Sequence, residues 1–206
     1  YKFEQNTGFV TIMDRLWVSR SASQSLPETA VSGGRDVDGS TIYVGRAFHE
    51  GDMLPAKVIP DQNVAYVCHN GEEHPKDDFE ILCQGEFAWE FCSGGAVPSD
   101  AVVAGQTSDG EQLYVGRVLH NGSQTIGKVQ QSHGCLYIPF DGEELSFTDY
   151  EVLKFYSYLF QYLQHQCITS HNWNISDYNY HSFNGIDVVS LQITNSEERK
   201  FIDMQK

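Results

Sequence analysis

The chain has 206 residues, enough to bury a core either as one domain or as two small repeats sharing one. Its 28 acidic against 13 basic side chains give a formal charge of -15. That balance argues against DNA, RNA or an anionic membrane as the main partner, since each is gripped through a surplus of Lys and Arg. The apolar runs are far too short to span a bilayer, so no direct membrane insertion is expected.

In chain order, residues 1–26 hold two expected strands, Phe9 to Met13 and Leu16 to Ser19. Tyr1-Lys2-Phe3-Glu4 lacks the charged start and apolar centre of a signal peptide. From Pro27 onward the chain is written twice. A shift of 71 positions without a gap leaves 21 of 56 residues identical between Pro27–Leu82 and Pro98–Leu153, including Tyr43-Val44-Gly45-Arg46 over Tyr114-Val115-Gly116-Arg117. Agreement at one fixed offset is a tandem duplication.

Each copy begins with Pro-x-x-Ala-Val, then a glycine bend and an Asp-Gly turn, at Asp38-Gly39 and Asp109-Gly110. The turn precedes a β-rich run, Thr41 to Ala47 or Gln112 to Val118. Further strands are expected at Val64 to Cys68 and Cys135 to Ile138, followed by Asn70-Gly71 and Asp141-Gly142 turns, and at Phe79 to Leu82 and Tyr150 to Leu153. Gly45 and Gly116 fall inside expected strands, where glycine is retained for a bulge or a close backbone approach. Trp17 and Trp89 precede the copies as strand residues covering one end of each.

Short strands with Gly-rich turns at this density imply an all-β fold. One copy alone would leave an apolar face and open edges, so the two antiparallel-sheet repeats are expected to pair about a pseudo-twofold axis. The duplication stops after Leu153. There Val152, Phe155, Leu159 and Leu163 suit a short amphipathic helix through about Gln166, and Asp187 to Ile193 a strand. The expected divisions are residues 1–83, 84–156 and a C-terminal extension, 157–206, that caps the repeats or mediates assembly.

The cysteines are Cys68, Cys83, Cys92, Cys135 and Cys167, an odd set without CxxC spacing and with no matched pair in either repeat. That favours a reducing compartment, whereas Asn121-Gly122-Ser123 and Asn174-Ile175-Ser176 could accept glycans outside one. Both cytoplasmic and released placements therefore stay open. His165, His171 and His181 make no helical metal motif. There is no Gly-x-Ser-x-Gly elbow, dinucleotide fingerprint or phosphate loop. No catalytic residue, metal or cofactor is expected.

Binding residues emerge from comparing the copies. Arg46 and Arg117 are expected to pair with Glu80 and Glu151 or with a backbone carbonyl, while Glu73 and Glu144 suit structure and ligand equally. Arg35-Asp36 and Gly51-Asp52 of the first copy become Gln106-Thr107 and Gly122-Ser123 in the second, and Lys57 and Lys128 persist. Carboxylates with a lysine, on loops beside rigid strands, suit a polar ligand with several hydroxyls. The competing reading is an exposed ion pair of little worth.

These duplicated elements, with the Gly-x-x-x-x-x-Lys and Gly-x-Glu motifs, make residues 17 to 156 resemble the Drosophila melanogaster nine-type repeat family. Its members include tandem mannose-specific lectins of molluscs and the N-terminal module of natterin-like proteins. The resemblance implies two all-β repeats that cross over one another, a homodimer, and innate pattern recognition through mannose-containing glycans. It places sugar contacts at Asp36 and Lys57, with Asp52 as a third and Glu144 of the other repeat completing the site. The second site would use Lys128 and Glu73, with Thr107 and Ser123 at the acidic positions, and is expected to be weakened or structural. Substituting Asp36 or Lys57 should then abolish binding with little change in melting temperature. The extension looks too short for a pore-forming region. The alternative reading is a protein-binding or assembly scaffold that has lost lectin activity.

Overall fold

The computed structural model describes residues 16–155 and, as backbone strands, residues 173–183 and 186–195. The first copy forms β1 (Trp17–Ser21), β2 (Ser32–Arg35), β3 (Thr41–His49), β4 (Asp52–Ile59), β5 (Val64–His69), β6 (Glu72–Lys76) and β7 (Asp78–Leu82). The second repeats them as β8 (Phe87–Ser93), β9 (Val103–Gln106), β10 (Gln112–His120), β11 (Ser123–Gln130), β12 (Cys135–Phe140), β13 (Glu143–Phe147) and β14 (Asp149–Phe155). The fold is all-β, and among the described residues no helix is long and apolar enough to cross a membrane.

The hairpin turns follow from backbone chemistry. Glu50-Gly51, Asn70-Gly71, Asn121-Gly122 and Asp141-Gly142 all have positive φ at both positions, the signature of the type I′ turns whose twist suits two-residue hairpins. The expected Asn-Gly and Asp-Gly turns are thus present, and Glu50-Gly51 adds a residue that adopts φ 48° without being Asn or Asp.

The strand order is β1-β7-β3-β2-β11-β12-β13-β6-β5-β4-β9-β10-β14-β8, with β3 also on β4 and β10 also on β11. Exchanging every strand with its counterpart in the other copy turns this order into its own reverse, so the topology has the expected pseudo-twofold. From β3 the ladder runs through β2, β11, β12, β13, β6, β5 and β4 back to β3, closing an antiparallel barrel of eight strands. The repeats are joined at three places: Arg35 opposite Gln124, Met53 opposite Gln106, and Glu72 opposite Glu143. Closure removes the open edges that one copy would expose.

The core is continuous with this crossing. Leu54, Val58, Val67, Phe79 and Ile81 pack with Leu113 of the second copy, while Val129, Leu136, Ile138, Tyr150 and Val152 form the companion cluster. Gly45 and Gly116 are packing glycines: a Cβ there would press within 2.5 Å of Val58 Cγ2 and 2.6 Å of Val129 Cγ2. Outside the barrel, Arg46 lies over the Trp17 ring at 4.5 Å and reaches Glu80 at 2.6 Å. Arg117 lies over Trp89 at 4.0 Å and reaches Glu151 at 2.7 Å. The tryptophans are strand residues as expected, and the arginines are held by the expected glutamates.

One expectation changes. The helix anticipated from Val152 does not start there, because Val152 to Phe155 continue β14 in register with Glu90 to Phe87; its remainder lies outside the described residues, as does the expected strand Phe9 to Met13. The body Arg15–Tyr156 is one compact unit holding both copies. Outside that body, β15 (Trp173–Phe183) pairs antiparallel with β16 (Ile186–Asn195), which includes the strand expected at Asp187 to Ile193.

Gly34 and Gly105 sit where the repeats cross. A Cβ would land on the Gln124 carbonyl oxygen in one case and the Met53 carbonyl oxygen in the other. Gly34→Ala and Gly105→Ala are therefore expected to cost about 2–4 kcal/mol each in chemical denaturation. Gly39→Ala, with φ 89° and nothing within 4 Å, should cost only the ~1–2 kcal/mol of left-handed backbone.

Candidate functional site

Two quasi-equivalent polar clusters occupy the seams between the copies. In the first, Lys57 on β4 donates to Glu73 Oε1 at 3.0 Å and to the Pro139 carbonyl at 2.9 Å. Glu73 Oε2 accepts the Gly142 N–H at 2.9 Å. In the second, the Lys128 ammonium on β11 lies 2.8 Å from Glu144 Oε1 and donates to the Cys68 carbonyl at 2.9 Å, while Glu144 Oε2 accepts the Gly71 N–H at 2.8 Å. Each ion pair thus lies within one repeat and is completed by the backbone of the other.

This arrangement corrects how the residues group. Glu144 meets Lys128 and Glu73 meets Lys57, the opposite of the expected exchange. The other copy instead supplies main-chain groups, the Gly-x-Glu hairpins being interlocked by reciprocal Glu73 N–H to Gly142 O and Glu144 N–H to Gly71 O bonds. Nor are Asp52, Lys57, Ser123 and Lys128 on loops. They lie on β4 and β11, strands packed on both faces, and Lys57 and Lys128 are only 5 % and 6 % exposed. The reading of an exposed ion pair fails on that burial.

Each lysine also faces a tyrosine that the sequence comparison overlooked. Lys57 Nζ is 5.1 Å from the Tyr66 ring centroid, and Lys128 Nζ is 5.3 Å from that of Tyr137. The signal was available, because Tyr66 and Tyr137 are identical at the offset of 71. Burial, then the charges of Glu73 and Asp36, push the Tyr66 phenol up. Burial and Cys135 push Tyr137 up to about 12, so both phenols keep their proton at neutral pH. Burial alone would raise Glu144, but the Lys128 and Gly71 hydrogen bonds outweigh it and hold the carboxyl below its ordinary value.

A cleft of about 460 Å3 opens beside the second cluster, within the ~300–1,000 Å3 typical of small-molecule sites. Lys128, Glu144 and Thr107 line it from the second copy; Asp52, Glu50 and His69 line it from the first. Asp52 therefore belongs with Lys128 here, its Oδ1 accepting the Ser108 N–H at 2.7 Å. Its counterpart Ser123 is fully buried and donates to the Arg35 carbonyl at 3.3 Å, next to Asp36. The residues sort as Asp36, Lys57, Glu73 and Ser123 at one seam, and Thr107, Lys128, Glu144 and Asp52 at the other.

Behind the Asp52 wall lies a histidine group that no sequence pattern marked. The His49 ring is 4.2 Å from His74 and 5.2 Å from His69, and Lys76 Nζ lies 2.9 Å from His49 Nδ1. In the second copy the same place is apolar, His120 meeting Phe140 and Phe147 edge-on at 4.9 and 5.2 Å. Burial, then Lys76 and His74, lower the pKa of His49, with Glu50 opposing them.

The DM9 repeat family matches residues 36–147. Natterin-4 of Thalassophryne nattereri is 31% identical over 137 residues, which are 63% of this chain and 31% of Natterin-4. Natterin-3 of the same fish is 37% identical over 78 residues, 38% of this chain and 18% of Natterin-3. The chain thus spans under a third of these relatives. In fold, it is similar to the nematode sperm cell motility protein MFP2B, with a TM-score of 0.51 and 12% identity over 69% of this chain and 46% of that one.

Removing one partner of a buried ion pair leaves the other uncompensated. Lys57→Met and Lys128→Met are each expected to cost about 3–5 kcal/mol by denaturant titration, in place of the thermally neutral Lys57 substitution expected from the sequence. For His49, the unfolded chain takes up a proton near pH 6.5 that the folded state resists. Its contribution to stability is complete above that pH and is lost as pH falls. The melting temperature should drop from about pH 7.5 to 5.5 more steeply in the native protein than in His49→Gln.

Proposed function

Since this chain belongs to the DM9 repeat family, we propose that it is a non-catalytic carbohydrate-binding protein that recognises mannose-containing glycans by equilibrium hydrogen bonding, without a metal, cofactor or covalent intermediate. The observation that carries this reading is the duplicated seam: a buried lysine held by a glutamate and a main-chain carbonyl, beside a neutral tyrosine and an aspartate. A sugar ring presents hydroxyl donors and acceptors around its edge and C–H groups on its faces. Rigid charged groups bind the hydroxyls more strongly than neutral ones, and an aromatic ring covers the C–H face. Because each lysine is locked by a glutamate, a main-chain carbonyl and a tyrosine ring, little conformational entropy is lost when a sugar binds.

Within this reading, Asp36 and Lys57 with Glu73 and Ser123 form one sugar site, and Asp52, Lys128, Glu144 and Thr107 the other. Two shallow sites on one chain, doubled in a homodimer, would give useful avidity on a glycan-coated surface and suit innate pattern recognition. A second reading, a protein-docking scaffold, is favoured by Phe48 and Leu119, equivalent strand positions exposed by 62% and 73%.

Asp36 is the discriminating residue, because among the described residues its side chain accepts a single hydrogen bond, from the adjacent Val37 N–H at 2.8 Å. On a glycan array, selective binding that free mannose competes away is the expected result for the native protein. Asp36→Asn should weaken it by about tenfold or more, a charge-assisted bond of about 1.5 kcal/mol, with the melting temperature unchanged. A folded protein that ignores every glycan would sink the lectin reading in favour of the scaffold.

A further inference from the structure

Among the described residues, glycine directly follows Asn or Asp at Asp38-Gly39, Asn70-Gly71, Asp109-Gly110, Asn121-Gly122 and Asp141-Gly142. Such dipeptides carry a latent reaction. The glycine nitrogen, with no Cβ on its own residue to shield it, can attack the side-chain carbonyl carbon of the residue before it. To do so it must leave whatever oxygen holds its N–H. Gly39 N–H is held by the Asp36 carbonyl at 3.0 Å and Gly110 N–H by the Thr107 carbonyl at 2.9 Å. Gly71 N–H is held by Glu144 Oε2 at 2.8 Å and Gly142 N–H by Glu73 Oε2 at 2.9 Å. Gly122 N–H has no acceptor among the described residues.

Asn70 and Asn121 form a matched pair. Both are exposed at hairpin tips with φ 51° and 48°, and their glycines have φ 88° and 87° with nothing within 4 Å of an added Cβ. The turns differ in the bond to the glycine. At Asn70-Gly71 the acceptor is a carboxylate whose own side chain is 9 % exposed and lies 2.8 Å from Lys128, so the clamp cannot swing away. The contact that joins the repeats thereby shields Asn70. Asn121-Gly122, on the hairpin between β10 and β11, has no such shield.

We propose that Asn121 is a self-modification site, at which the folded protein deamidates while Asn70 keeps its amide. The Gly122 nitrogen bonds to Asn121 Cγ as the Cγ–Nδ2 bond breaks. The nitrogen's proton leaves with the side-chain amide as ammonia, and a cyclic succinimide closes. Water opens either of its carbonyls, giving aspartate or the β-linked isomer, with no change in oxidation state. Both products put a carboxylate where the first copy has Glu50. The β-linked product also adds a carbon to the main chain between His120 and Ser123, which face each other across the turn. Ser123 Oγ donates to the Arg35 carbonyl, so the change falls beside a bond between the copies.

The test is peptide mapping by mass spectrometry of the full chain, held at neutral pH and body temperature for several weeks. Conversion adds about 1 Da and splits the Asn121 peptide into aspartate and β-linked forms. A hydrogen bond to a charged acceptor must break at Asn70 and not at Asn121, so Asn121 should convert about tenfold faster or more. In concentrated guanidinium, where no clamp survives, the two rates should converge. Gly122→Ala should slow conversion at Asn121, because a Cβ then shields the nitrogen. Equal rates at Asn70 and Asn121 in the folded chain would overturn the inference. So would an Asn121 that converts in guanidinium and never in the folded protein, a gap that persists unchanged in guanidinium, or a Gly122→Ala chain that converts as fast as the native one.

Discussion

Everything in the barrel depends on two lysines that neither repeat can satisfy by itself. Each donates to a glutamate of its own copy, yet its carbonyl acceptor, Pro139 for Lys57 and Cys68 for Lys128, belongs to the other. The glutamates have the same need, for Gly142 and Gly71 N–H groups across the seam. A buried charge is tolerable only with its full set of partners. The pairs therefore make association of the copies a condition of folding, and they aim rigid polar groups at the surface where a ligand would meet them. In the carbohydrate-binding reading, stability and recognition draw on the same atoms.

The fold was legible to the extent that its signals are local. The offset of 71 exposed the duplication, and turn residues such as Asn70-Gly71 marked hairpins because few residues tolerate two positive φ angles in succession. The strands β4 and β11 were invisible for a physical reason. Asp52–Ile59 is buried at nearly every position, so no period of two survives, and Pro55 argues against a strand. Pro55 faces Arg46 in the β3 ladder, and it is tolerated because on its other edge β4 changes partners around it, meeting β9 at Met53 and β5 from Lys57 onward, so that edge has no ladder position at residue 55.

The site was legible as a roster and illegible as a geometry. Lys57, Lys128, Glu73 and Glu144 stand out through their retention, but which lysine meets which glutamate depends on how β6 and β13 cross, and one sequence carries no trace of that. Tyr66 and Tyr137 carried the same retention and were lost among tyrosines that look like strand filler. His49 is retained as His120, but His69 and His74 left no mark, since their counterparts are Phe140 and Leu145, and only the tertiary structure brings the three rings together.

The crossing of the copies also bears on how such a protein can diversify. In a symmetric dimer of single repeats every substitution would appear in both clefts at once, and the two could never differ. Fusing the copies into one chain breaks that bond, because Asp52 and His69 on one wall change without altering Ser123 and Phe140 on the other. Yet the cleft beside Lys128 still takes one wall from each copy, and each lysine cluster takes its backbone acceptor from the other copy. Inheritance of a seam is therefore diagonal: transplanting a whole repeat into a relative would create two hybrid seams and carry neither parent's arrangement intact.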